Sequence, residues 1–94
     1  MEKTHHLKIL PCYFHEVIAG RKNFELREND RDFKVGDYIK LNEYENGKYT
    51  GLRVTGIIEY ILYEYNDVLK KNWVILSFKR THKGINTFPI SELE

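Results

Sequence analysis

Residues 38–62 read YIKLNEYENGKYTGLRVTGIIEYIL, two apolar-rich runs on either side of Asn46-Gly47. Asn-Gly between alternating runs predicts a two-residue hairpin, because both central positions of such a turn need positive φ. The first run predicts a strand over Tyr38–Tyr44 with Ile39 and Leu41 as its core pair. The second predicts a long strand over 52–62, whose Gly56 is read as a bulge or bend. Two long antiparallel strands need more strands, or a helix, to bury their shared apolar face.

Upstream, Asn23–Glu28 alternates cleanly. Phe24 and Leu26 share one face, read as the core face, and Asn23, Glu25 and Arg27 share the other. Asn29-Asp30-Arg31-Asp32 has turn composition, Phe33 and Val35 return the loop to the core, and Gly36-Asp37 turns into the hairpin. Residues 5–10 predict a short strand with Leu7 and Ile9 on one face and His6, Lys8 and Leu10 on the other. Pro11 then suits a first helical position. Phe14, Val17 and Ile18 follow at helical spacing, broadened by Tyr13, and Gly20 ends a helix over about 11–19. Downstream, Tyr63–Asn72 is a polar loop and Trp73–Lys79 a buried strand. Residues 80–84 form a basic turn, and Asn86–Ile90 a last short strand with Pro89 at an edge. Strand, helix and then four or five strands predict a mostly β (α+β) domain spanning 1–94. Its expected form is a small antiparallel β-barrel with one clear N-terminal helix, since closure protects the sheet edges.

Composition narrows the class. In 94 residues, 41% hydrophobic and 31% charged content is too apolar for a disordered tail and too polar for a membrane protein. The formal charge is +1, so the overall field selects no polyanion partner. The charge is uneven, at net +1 over 1–40, −3 over 41–69 and +3 over 70–94. A single cysteine, Cys12, cannot form an internal disulfide, which fits a reducing compartment. With no long apolar run at the start, the expected location is the cytoplasm, with no membrane contact. The oligomeric state is open.

The densest polar signal is Gly20-Arg21-Lys22-Asn23-Phe24-Glu25-Leu26-Arg27. It sets a base, an acid and a guanidinium near the mouth of a cleft between helix and barrel. Arg27 suits a bidentate contact to phosphate or a base edge. Glu25 suits an exocyclic amine, or the task of holding Lys22 or Arg27. An ordinary edge of solvated ion pairs is the plainer reading of the same alternation. Asn29, Asp30 and Arg31 form either the cleft rim, with Arg31 toward phosphate, or a structural turn. His6 and Lys8 line the same opening or lie on a solvated edge. Tyr44 offers a stacking face for a base, as does Tyr38, while Trp73 reads as core. Lys70, Lys71 and Lys79-Arg80-Thr81-His82-Lys83 suit nucleic-acid backbone contacts or a solubilising face. Cys12 is read as a buried or half-buried inert thiol. Four scattered histidines give no zinc spacing, and no phosphate loop is present. Neither metal nor cofactor is expected.

The run GRKNFELREND resembles the Gly-x-Lys-x-x-Glu-x-Arg signature of the ASCH superfamily, whose members have a PUA-like barrel. More closely, His6-Leu7-Lys8, Tyr13-Phe14, Asn29-Asp30-Arg31, Phe33, Val35-Gly36-Asp37, Glu43-Tyr44, Tyr49-Thr50-Gly51 and Trp73-Val74-Ile75-Leu76 resemble DUF3850. This is a small ASCH-like family of bacteria and their phages. The resemblance covers about 5–79 and leaves 80–94 as a C-terminal extension. It implies a cleft with Lys22, Glu25 and Arg27 near its floor and an RNA- or nucleotide-binding role. A second reading is a small amidohydrolase acting on a modified nucleoside such as acetylated cytidine, with Lys22 and Glu25 catalytic. The amidohydrolase pattern has Thr where this chain has Glu25, so a nucleophilic hydroxyl is missing. A third reading is a protein-binding regulatory domain.

Overall fold

A computed structural model describes residues 2–63, 68–82 and 84–93. The chain forms β1 (Thr4–Ile9), α1 (Pro11–Ile18), β2 (Phe24–Glu28), β3 (Tyr38–Glu45), β4 (Lys48–Leu62), β5 (Trp73–Arg80) and β6 (Asn86–Thr87). A 3-10 turn follows over Ile90–Leu93. The hairpin predicted at Asn46-Gly47 joins β3 to β4, with φ of 52° and 79° at the two residues. Glu45 pairs with Lys48 at its base. Part of the polar loop expected over 63–72, residues 64–67, lies outside the described residues.

The main path through the sheet is β1-β3-β4-β5-β2, with β6 added on β4. Every ladder is antiparallel except β1 with β3. This order corrects the expected closed barrel: the sheet is an open, curled half-barrel whose edges stand 9 Å apart. Among the described residues, β1 and β2 are the two free edges. Side chains bridge them, as Arg27 of β2 donates to the Lys8 carbonyl and Arg31 to the His6 carbonyl. At 9 Å the edges are too far apart for a ladder, which needs about 4.8 Å between strands.

The core fills the concave side: Leu7, Ile9, Phe14, Val17, Phe33, Ile39, Leu41, Val54, Ile58, Ile61, Val74, Leu76 and Phe78. The eight-residue α1 is too short to persist alone and is held by Phe14 and Val17, both fully buried. Arg80 completes it from β5, donating at 2.9 Å to the Ile18 carbonyl at the helix end. Gly56 does not create a bulge. A Cβ there would lie 2.9 Å from the Phe78 ring and 3.0 Å from the Lys79 carbonyl, so the residue permits close packing of β4 on β5. The register shift in that ladder falls between Ile58 and Tyr60.

Several expected core residues are in solvent. Phe24 and Leu26 are 48% and 51% exposed, whereas Glu25 between them is 4% exposed. The two faces of β2 are therefore inverted relative to the expectation, because Glu25 pairs with Leu76 and Arg27 with Val74 on the core-facing side of β5. Val35 and Tyr13 are also exposed, as is the Cys12 thiol. The last strand is shorter than expected, since Pro89 follows β6 and the chain then turns.

Candidate functional site

Glu25 is the centre of the polar constellation. Its carboxylate, side chain 5% exposed, takes Lys22 on one oxygen and Arg27 on the other. Arg27 Nε donates to Oε2 at 2.9 Å, and its Nη2 lies 2.8 Å from the same oxygen. Lys22 Nζ donates to Oε1 and, at 2.7 Å, to the Phe24 carbonyl. Strand alternation turns Glu25 and Arg27 to the concave side, and the turn at Gly20 (φ 79°) brings Lys22 back above them. Burial without partners would penalise the carboxylate heavily. Two cations on one acid satisfy it and leave one positive charge in excess.

These groups floor a groove of about 420 Å³ lined by Lys8, Ile9, Leu10, Tyr13, Lys22, Phe24, Glu25, Leu26 and Arg27. Tyr13, from the outward face of α1, and Phe24, from the outward face of β2, flank the ammonium. Lys22 Nζ lies 5.7 Å and 5.1 Å from their ring centres. The floor is charged and the walls are aromatic. Neither Tyr13 nor Phe24 is among the residues the sequence points to, because the apolar pattern places both in packing. The signal that finds them is Glu25: once the acid faces inward, strand alternation sets Phe24 outside.

The remaining candidate residues divide. Arg31 and Asp30 stand beyond Arg27, lining a second groove of about 250 Å³ with Leu7, Leu26, Glu28, Phe33 and Trp73. Asn29 is a turn residue whose Oδ1 accepts from the Phe33 amide at 2.9 Å. His6 and Lys8 offer only their carbonyls to the opening. Their side chains lie on the convex face, where Lys8 Nζ sits 4.4 Å above the Tyr44 ring. Tyr44 packs edge-on against Tyr49 at 4.9 Å there, away from Glu25.

Also on the convex face, Asn42 donates to His6 Nδ1 at 3.2 Å and accepts from Arg53 Nε at 2.7 Å. Arg53 reaches Glu92 at 3.2 Å and lies under Phe88, which fastens the C-terminal turn to the sheet. Burial, with Arg53 and Lys40 nearby, lowers the His6 pKa below its ordinary value. A second buried pair, His5 Nε2 and Asp37 Oδ2 at 2.7 Å, fixes the start of β1 to the loop before β3. Burial pushes the Asp37 pKa up, but hydrogen bonds from His5 and from the Lys3 and Lys34 amides outweigh it and hold the carboxyl low. In the basic run, Arg80 is committed to the end of α1; Lys83 lies outside the described residues. No cluster of three potential metal ligands occurs among the described residues. No helix among them is long and apolar enough to cross a membrane.

A family model described as a domain of unknown function, DUF3850, matches residues 4–78. The chain belongs to the DUF3850 family. An "Uncharacterized 12.9 kDa protein in GpA 3'region" from Escherichia phage P2 is 39% identical over 54 residues. The match covers 57% of this chain and 50% of the phage protein, so the chain spans about half the length of that relative. The DUF3850 match contains α1, both grooves and the Lys22–Glu25–Arg27 group, and ends within β5. The C-terminal turn and its Glu92 contact lie beyond it.

Proposed function

We propose that this DUF3850 domain is an RNA- or nucleotide-binding module of the ASCH type, using the groove between α1 and β2. The observation that carries the reading is the buried Glu25 carboxylate, clamped by Lys22 and Arg27, beneath the exposed rings of Tyr13 and Phe24. A base stacks between or upon such rings, which is worth about 1–3 kcal/mol per base. A phosphate is matched by the excess positive charge of the two cations. The GRKNFELREND signature coincides with these side chains, which supports the superfamily assignment although the sheet is open.

Hydrolysis of an acetylated nucleoside is the weaker reading. A general base needs a free oxygen within hydrogen-bond reach of the proton it takes. Both Glu25 oxygens are occupied by cations, and Glu25 stands where the amidohydrolase pattern has its Thr hydroxyl.

The test is titration of short single-stranded RNA into wild type and Arg27→Ala over a salt series. The proposal expects binding at low salt, a steep fall in affinity as salt rises, and weaker binding by R27A at every salt concentration. Equal affinities for the two proteins, or no binding at low salt, overturn it. Incubation with acetylated cytidine is the companion assay, and turnover lost in both E25Q and K22A would restore the hydrolase.

A further inference from the structure

The curled sheet has two free edges that face one another. The Lys3 carbonyl accepts from the Tyr38 amide across the β1–β3 side. Alternation in a parallel ladder therefore turns the main-chain groups of His6 and Lys8 away from β3, into the gap. On the opposite edge, the Asn23 carbonyl accepts from Phe78 and the Asn29 amide donates to Asn72. The same alternation turns the main-chain groups of Phe24, Leu26 and Glu28 into the gap. Three of these carbonyls are held by side-chain cations in place of strand amides: His6 by Arg31, Lys8 by Arg27 and Phe24 by Lys22.

The width of the gap is the second observation. Edges 9 Å apart are separated by about twice the ~4.8 Å spacing of paired strands, which is the space of one missing strand. The grooves of about 420 Å³ and 250 Å³ both contain Leu26 and Arg27 in their linings, so they adjoin along this gap at the Arg27 bridge.

We propose that the gap between β1 and β2 receives an extended, acidic segment of a partner protein as an added strand that completes the barrel. Its amides would replace the side-chain donors on the His6, Lys8 and Phe24 carbonyls, and its carbonyls would meet the amides of the same edges. Displaced from those carbonyls, Arg27 keeps Glu25 and Arg31 keeps Asp30 at 3.6 Å, and the N–H groups that each frees are met by acidic side chains of the incoming strand. Leu7, Leu26, Phe33 and Trp73 in the second groove give apolar contact to the alternate side chains. β1 and β2 run antiparallel to each other through the chain of ladders, so the guest pairs parallel with one and antiparallel with the other. This inference does not rest on the nucleotide reading.

The experiment is selection of a displayed library of random linear peptides on the full chain, followed by synthesis of the enriched sequences. Enriched peptides are expected to be proline-free and acidic, and to slow hydrogen exchange at the His6, Lys8, Leu26 and Glu28 amides at least tenfold. N-methylation at alternate peptide residues is expected to weaken binding at least tenfold, and at the intervening residues less. Binding should persist in Tyr13→Ala, which separates this site from the RNA groove. An empty selection, or peptides that leave those four amides unprotected, overturns the proposal and leaves the cations as guards of the edges. Protection that appears without peptide as the protein dimerises overturns the choice of occupant in favour of a second copy.

Discussion

Phe24 and Phe14 lie ten positions apart and are both aromatic, yet their environments are opposite. Phe14 is wholly buried and Phe24 nearly half exposed. Phe14→Ala is expected to cost about 3–5 kcal/mol and Phe24→Ala less than about 1 kcal/mol, read from urea denaturation. Equal losses would return Phe24 to the core. The polar residues are more demanding. Asp37 serves His5 and two amides at once, and Asp37→Asn is expected to cost about 1.5–3 kcal/mol at neutral pH. Its folded pKa is held below the unfolded value. The stability it gives is thus present above about pH 4 and lost as pH falls through the folded pKa. His6 acts at a higher pH. Its Nδ1 accepts from Asn42, because the Asn42 oxygen is already taken by Arg53. The folded state therefore prefers the neutral ring. With its folded pKa lowered, stability should decline as pH falls below about 6.5, where the unfolded ring gains its proton. His6→Asn should flatten that part of a denaturation–pH profile, and an unchanged slope would contradict the assignment.

At the scale of elements, local chemistry in the chain specified most of the secondary structure. Pro11 and Gly20 bracket α1, Asn46-Gly47 makes the hairpin, and alternation places Ile39 and Leu41 at the core. Gly56 is an exception whose role depends on Phe78 and Lys79 of β5, more than 20 residues away in the chain. Gly56→Ala is expected to cost about 1–3 kcal/mol by overpacking against Phe78. Arg80→Ala should cost about 1–2 kcal/mol by uncapping α1, and amide exchange within 11–18 should quicken selectively. The faces of β2 are the reverse of what its hydrophobicity predicts. Alternation divides five residues into two sets but does not say which set turns inward, and hydrophobicity favoured Phe24 and Leu26 over Glu25. The structure instead buries the acid, because Lys22 and Arg27 come with it. The constellation of Lys22, Glu25 and Arg27 was legible in the sequence as a cluster. Its aromatic walls were not, for they depend on that inversion. Likewise, alternation put His6 and Lys8 together on the face opposite Leu7 and Ile9. Only the β1–β3 pairing shows that this face is the convex one.

For the whole molecule, strand order governs both the shape and the site. Consecutive strands suggested closure, but β1 pairs in parallel with β3 and β2 crosses to the far edge on β5. The two edges are left facing each other across a gap spanned by arginines. That arrangement puts α1, the β1 carbonyls and the charged floor around one opening. The proposed RNA site is this opening, where bases would stack on Tyr13 and Phe24 above the clamped carboxylate. Amide chemical-shift mapping by NMR during titration with a short single-stranded RNA tests it most directly. Perturbations are expected to concentrate at residues 8–13 and 22–27 and to diminish in Tyr13→Ala. Perturbations confined to the convex face around Tyr44, Tyr49 and Phe88, or none at all, would contradict it.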